Sequence, residues 1–179
     1  MKNTLFIAIL LFTFIGVYAQ KTLTPVDAGS KIHFVIKNFG IKTGGDLSGM
    51  KGTMKFDPAK PSSSSFDVTV AVKTIDTDND KRDSHLKHTE FFDAEKYPAI
   101  RLASTKIETT NTAATYLFTG NLTIKGTTQP VHFLFTATAK EGGYLFAGEF
   151  EINRLNYKVG GESAIMSDKI NVSISAFAK

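Results

Sequence analysis

The sequence predicts an all-β domain of about eight antiparallel strands, a sandwich or a closed barrel, and three observations predict it. Apolar and polar residues alternate with a period of two, as in Phe66, Val68, Val70 and Val72 against Asp67, Thr69 and Lys73. That period buries one face of a strand and wets the other. The alternating runs recur at short spacing with turn signals between them, among them Asp57-Pro58, Gly126 and Gly142-Gly143, the pattern of hairpin-connected sheets. The 179 residues are 42% hydrophobic and 21% charged, the composition of one ordinary globular domain with a core of its own.

In chain order, Lys2, an apolar run from Leu5 to Val17 and the small-residue ending Val17-Tyr18-Ala19 before Gln20 have the form of a secretory signal over residues 1–19. The run is short for a spanning helix, which needs roughly 20 apolar residues. No Cys follows the expected cleavage point, which argues against a lipid-anchored precursor. The expectation is a periplasmic or secreted protein whose single folded domain covers residues 20–179.

Ile32, Phe34 and Ile36 alternate with His33, Val35 and Lys37 in a first strand, which Asn38-Phe39-Gly40-Ile41 breaks. Gly44-Gly45 is expected to be a flexible turn. Met50, Gly52, Met54 and Phe56 share a face of the second strand, and the Ser-rich stretch 60–65 is a loop by composition. Phe66 to Val72 form the third. Ile100 and Leu102 lead a fourth toward Ile107, and Tyr116, Phe118, Gly120, Leu122 and Ile124 a fifth. Val131, Phe133, Phe135 and Ala137 face one way on the sixth, Tyr144, Phe146, Gly148, Phe150 and Ile152 on the seventh, and Ile170, Val172, Ile174 and Ala176 on the last.

Residues 79–97 interrupt this pattern with charge, two His and three large aromatics. Asp78 or Asn79 is placed to cap a short helix running toward His88, and Thr89 a second turn through Phe91 and Phe92 that stops before Pro98. Leu86, Phe91 and Phe92 are then expected to face inward, with Arg82, Asp83 and Lys87 in water. Such an insertion is either a lid near a binding site or a crossover whose aromatics fill the core.

Several chemistries lack their residues. With no Cys there are no disulfides, thiolate metal sites or thiol nucleophiles. Asp76-Thr77-Asp78-Asn79-Asp80 begins like a calcium loop but has Lys81 and Lys87 where an EF-hand needs Gly and Glu. His85 and His88, with Asp83 or Asp93 nearby, lack a third placed ligand, so no metal is expected. Glu149 and Glu151 alternate onto the solvent side. No nucleophile elbow, phosphate loop or dinucleotide fingerprint occurs, so no catalytic residues are assigned and the protein is not read as an enzyme. Net charge is +4, or +3 once Lys2 is removed. The lysines form no basic run, which argues against nucleic acid.

The insertion, with Arg82-Asp83-Ser84-His85-Leu86-Lys87, then Phe91-Phe92-Asp93 and Lys96-Tyr97-Pro98, resembles the signature of the YceI-like family of exported lipocalin-like proteins. Ser30-x-Ile32-x-Phe34, Asn38-Phe39-Gly40-Ile41, the run Gly120 to Gly126, and Ile152-Asn153-Arg154 agree with that family in the same order, so the likeness covers about Thr24 to Phe177. The resemblance implies an eight-stranded antiparallel lipocalin-like barrel with a short helical insertion around residues 79–97. It also implies a long apolar cavity for an isoprenoid tail, of the quinone or polyprenyl phosphate type.

Joined to the alternation, this gives a carrier or store for an isoprenoid lipid, with that lipid as bound ligand and no other cofactor. The expected lipid-binding residues are Phe34, Ile36, Phe39, Met54, Val68, Val70, Phe118, Phe133, Phe135 and Phe146, with Phe91 and Phe92 near the mouth. Transient contact with a membrane surface and a homodimer are both compatible with it. Two alternatives stay open: an enzyme acting on such a lipid through His85, Asp83 or Arg82, and a stress-related structural protein whose interior is filled.

Overall fold

The computed structural model describes residues 20–179, so the expected signal over 1–19 lies outside the described residues. Ten strands form one antiparallel sheet: β1 (Lys21–Leu23), β2 (Lys31–Asn38), β3 (Ile41–Leu47), β4 (Lys51–Phe56), β5 (Ser65–Ala71), β6 (Ala99–Thr109), β7 (Thr115–Ile124), β8 (Thr127–Lys140), β9 (Gly143–Asn153) and β10 (Met166–Ala178). Their spatial order is β1-β4-β5-β6-β7-β8-β9-β10-β2-β3. From β4 through β10 the order follows the sequence, as hairpin connections dictate.

The sheet curls until each end reaches a strand on the opposite side. β1 pairs with β4, and the residues just after it turn to the end of β10: Thr24 N donates to the Lys179 carbonyl at 2.9 Å and Val26 N to the Phe177 carbonyl at 2.8 Å. On the other side Asp46 of β3 bridges Asp76, and Ala71 N of β5 donates to the Ser48 carbonyl. These bonds use backbone groups that an open edge would leave unpaired, and they wrap the sheet into a barrel.

One end of the barrel is solid. Phe56, 1% exposed, meets the rings of Tyr116, Tyr144 and Phe146 edge-on at centroid distances of 5.3, 5.0 and 5.2 Å, a preferred aromatic geometry. Toward the other end the inward side chains, Phe34, Ile36, Phe150 and Val172 among them, are only half-buried.

Three expectations need correction. The strands number ten rather than eight, because β1 is too short to show a period and β3 carries little apolar alternation. Gly44-Gly45 is not a turn but the middle of β3; a Cβ on Gly45 would lie 2.6 Å from the Phe34 ring and from the Thr77 methyl. The reversal comes earlier, at Phe39 and Gly40, whose φ angles are 51° and 76°, the left-handed pair of a two-residue hairpin.

The third correction concerns the insertion. The helix α1 (Asp80–Lys87) forms as expected, with the Asn79 side chain accepting from Arg82 N at 2.9 Å. Beyond His88 the expected second turn through Phe91 and Phe92 forms, without a hydrogen bond from the Thr89 side chain. Phe91 and Asp93 both donate from their backbone N to the His88 carbonyl, and Asp93 takes φ 50°, so the chain stays in irregular turns. Asp83 is buried rather than in water, because it is the acceptor that holds the segment before the helix.

Candidate functional site

An apolar cavity of about 320 Å³ opens inside the barrel. Its floor is Phe66, Phe135 and Phe146, which rest on the aromatic cluster around Phe56. Its wall carries inward side chains of β2, β5, β6, β7, β8, β9 and β10. Along one side Phe118, Phe133 and Phe150 stack across three strands, at 4.8 Å and 4.6 Å between centroids with ring planes within 21°.

This stack explains glycines that the sequence leaves ambiguous. A Cβ at Gly120 would meet the Ala103 carbonyl oxygen at 2.3 Å and the Phe118 ring at 2.6 Å, and one at Gly148 the Leu134 carbonyl oxygen at 3.0 Å and the Phe133 ring at 3.2 Å. The absent side chains give each ring a seat against the backbone. The rings lie back along the wall and the lumen stays open.

Every expected lipid-binding residue except Phe39 lies on this wall: Phe34, Ile36, Met54, Val68, Val70, Phe91, Phe92, Phe118, Phe133, Phe135 and Phe146. Phe39 is 71% exposed at the tip of the β2–β3 hairpin, because its left-handed backbone turns the side chain off the strand face. Phe150, Ile152, Val172 and Ile174 also line the cavity. Alternation from Phe146 and Ile170 is signal enough to find them. Arg154, Tyr157 and Val159 line it too and come from a segment with no strand period.

The polar part of the wall gathers at the half-open end. Arg82 Nε donates to Thr77 Oγ1 at 2.8 Å, and Nη2 to the Thr77 carbonyl at 2.6 Å. Thr77 in turn gives its backbone N–H (3.0 Å) and its hydroxyl to Asp83 Oδ1. Asp83 is thus spent on structure, whereas Nη1 of Arg82 has no protein acceptor among the described residues. The His85 ring stands edge-on to Phe91 at 4.9 Å, with Nε2 3.9 Å from Glu90. Arg82, His85, Asn38, Thr43 and Thr77 are the polar residues that line the cavity here.

The insertion is strapped across this end from two sides. On one side Thr77 touches Gly45 of β3. On the other, Gly160 N donates to the Glu90 carbonyl at 3.0 Å, and Lys125 Nζ reaches both the Glu90 and Lys158 carbonyls. Arg154, 2% exposed, holds the loop beneath by donating to the carbonyls of Ser167 (2.9 Å), Val159 (3.1 Å) and Gly161 (2.7 Å) and to Asp168 Oδ1 (2.9 Å). Buried charge of this kind is tolerated because each donor has an acceptor. The arrangement leaves an apolar hollow inside the barrel, with the Arg82 guanidinium on its wall at the half-open end.

A protein-family model for the YceI-like domain matches residues 23–178. Protein YceI of Salmonella agona is 31% identical over 134 residues, which span 73% of this chain and 69% of the Salmonella protein. A UPF0312 protein of Pectobacterium atrosepticum is 36% identical over 101 residues, covering 56% of this chain and 52% of the relative. Against this and other similar curated relatives the chain spans about half to three fifths of their length. Among solved structures, Burkholderia cenocepacia BcnA superposes with a TM-score of 0.81 at 27% identity, over 87% of this chain and 99% of BcnA. A polyisoprenoid binding domain from Saccharophagus degradans, implicated in plant cell wall breakdown, shares the fold with a TM-score of 0.68 at 11% identity, over 90% of this chain and 99% of that domain.

Proposed function

Since the chain belongs to the YceI-like family, we propose that it takes an isoprenoid lipid into its barrel and carries or stores it outside the cytoplasm, without chemistry on the guest. The observation that carries this reading is the apolar cavity, about 320 Å³, large enough for a small-molecule site. Sheltering hydrocarbon yields about 0.8 kcal/mol per CH₂, so about ten buried carbons supply roughly 8 kcal/mol before association costs. The polyisoprenoid binding domain of Saccharophagus degradans, with the same fold, agrees in kind. Export rests on the signal-like residues 1–19.

The tail lies against Phe118, Phe133 and Phe150, and the head group emerges at Arg82 and His85. The free Nη1 of Arg82 favours an anionic head, so a prenyl phosphate fits better than a quinone. Titration of the apo protein with a hydrophobic fluorophore, then displacement by geranylgeranyl phosphate or geranylgeraniol, tests both levels. Both prenyl compounds are expected to displace the dye, and Arg82→Gln to weaken the phosphate by about tenfold while sparing the alcohol. A folded apo protein that takes up neither dye nor prenyl compound would refute the reading, and equal losses for phosphate and alcohol would remove Arg82 as the head-group contact.

A further inference from the structure

The β2–β3 hairpin tip carries side chains that the cavity does not use. Phe39 is 71% exposed and Ile41 70%, and Ile165, 48% exposed, is tied to them because its carbonyl accepts from Phe39 N at 2.9 Å. Three large apolar side chains therefore stand in water together, whereas scattered single ones need no explanation. The tip also touches the mouth. Asn38 and Met166, one residue from Phe39 and Ile165, pair across β2 and β10 and both line the cavity.

Two features of this tip work against stability. Phe39 adopts φ 51°, a conformation that suits Asn, Asp or Gly and is costly for a bulky side chain. Directly behind it Lys37 and Lys42 are cross-strand partners, and like charges placed opposite repel. Neither lysine has a carboxylate partner among the described residues. Glu162 lies three residues before Ile165 on the adjoining loop and is the one acidic residue between Val159 and Met166. Local unfavourable choices of this kind mark functional positions.

We propose that this hairpin tip is a docking surface for an anionic lipid bilayer: Phe39, Ile41 and Ile165 enter the interfacial layer while Lys37 and Lys42 meet the head groups behind them. Aromatic and aliphatic tips backed by cations bind this boundary, and an anionic surface relieves the Lys37–Lys42 repulsion. Docked this way, the barrel brings its mouth to the bilayer, and a guest passes between cavity and membrane with little exposure to water. The surface extends the carrier reading and does not depend on which lipid occupies the cavity.

The chain has no Trp, so Phe39→Trp places a single reporter at the tip. With vesicles of phosphatidylglycerol and phosphatidylethanolamine its emission is expected to shift to the blue, with far less change on pure phosphatidylcholine and a loss of signal as salt is raised. Phe39→Asn suits the turn and is expected to keep or raise the melting temperature, yet to weaken sedimentation with anionic vesicles at least tenfold, as is Lys37→Gln with Lys42→Gln. An unshifted emission, or full vesicle binding by Phe39→Asn, would overturn the proposal. A blue shift that grows with protein concentration in the absence of vesicles, with a dimer in analytical ultracentrifugation, would overturn it in favour of a second copy of the chain. Displacement of the cavity fluorophore by prenyl compounds stays intact in Phe39→Asn, so failure here is distinct from failure of the cavity reading.

Discussion

Tyr157, 2% exposed on the cavity wall, has its hydroxyl pKa pushed up to about 12 by burial, from an ordinary 10.0. A raised folded value means that its contribution to stability is complete below pH 10, where neither state ionises. It fades as pH climbs from 10 through 12, because the unfolded chain loses its proton first. Denaturant melts of the protein are therefore expected to weaken across that window, by up to about 2–3 kcal/mol, and Tyr157→Phe to remove most of the decline. The opposite sign holds at Asp67, whose carboxyl is held below 3.8 by two hydrogen bonds from Arg101. Its contribution is present above 3.8 and lost as pH falls through the lower folded value, but the pair is more than half exposed and is worth at most about 1 kcal/mol. Arg154 is the costly residue: Arg154→Ala strands the buried Val159 carbonyl and the part-buried Ser167 and Gly161 carbonyls and is expected to remove about 3 kcal/mol, read as a drop in denaturation midpoint. Its burial is hidden in the sequence, where the family likeness marks Ile152-Asn153-Arg154 but nothing shows that the Arg turns inward.

The insertion is the element whose stability bears on function. Asp83 accepts two hydrogen bonds from Thr77, and that link ties α1 to the barrel edge. Asp83→Ala is expected to cost about 1–3 kcal/mol, and to do so locally: amide exchange should quicken over residues 78–97 while β6 to β9 keep their protection, and a bound lipid should leave faster. Equal acceleration throughout the barrel would mean that the segment is not a separate unit. Strong two-residue alternation makes β2, β5, β8 and β9 readable from sequence, with inward faces that coincide with the cavity wall. Legibility ends where the period ends. β3 carries Thr43-Gly44-Gly45-Asp46 through its centre, and its glycines serve ring packing rather than a bend. Apolarity groups Phe39 with the cavity, and only a backbone angle, invisible to composition, turns it away. Charge assigns Arg82 and Asp83 to water; Arg82 is exposed as expected, though bonded to Thr77 at the cavity, whereas Asp83 is buried by the hydrogen bonds it accepts from Thr77.

At the scale of the whole molecule the protein divides into a packed aromatic end around Phe56 and a half-open end under the insertion. The first supplies the fold and the second the cavity, so filling the cavity should cost binding and leave the fold intact. Val172 and Ile174, half-buried on β10 and on the cavity wall, are the positions to enlarge. Val172→Phe with Ile174→Phe is expected to reduce uptake of a hydrophobic fluorophore at least tenfold while far-UV circular dichroism is unchanged and the melting temperature holds or rises, since the new rings occupy empty volume. The most direct test of the central claim is organic extraction of the folded protein from its native source, with mass spectrometry of the extract. The account predicts a prenylated molecule near one per chain that is missing from the doubly substituted variant, whereas extracts repeatedly free of any prenyl lipid, or holding only straight-chain fatty acids, would contradict it.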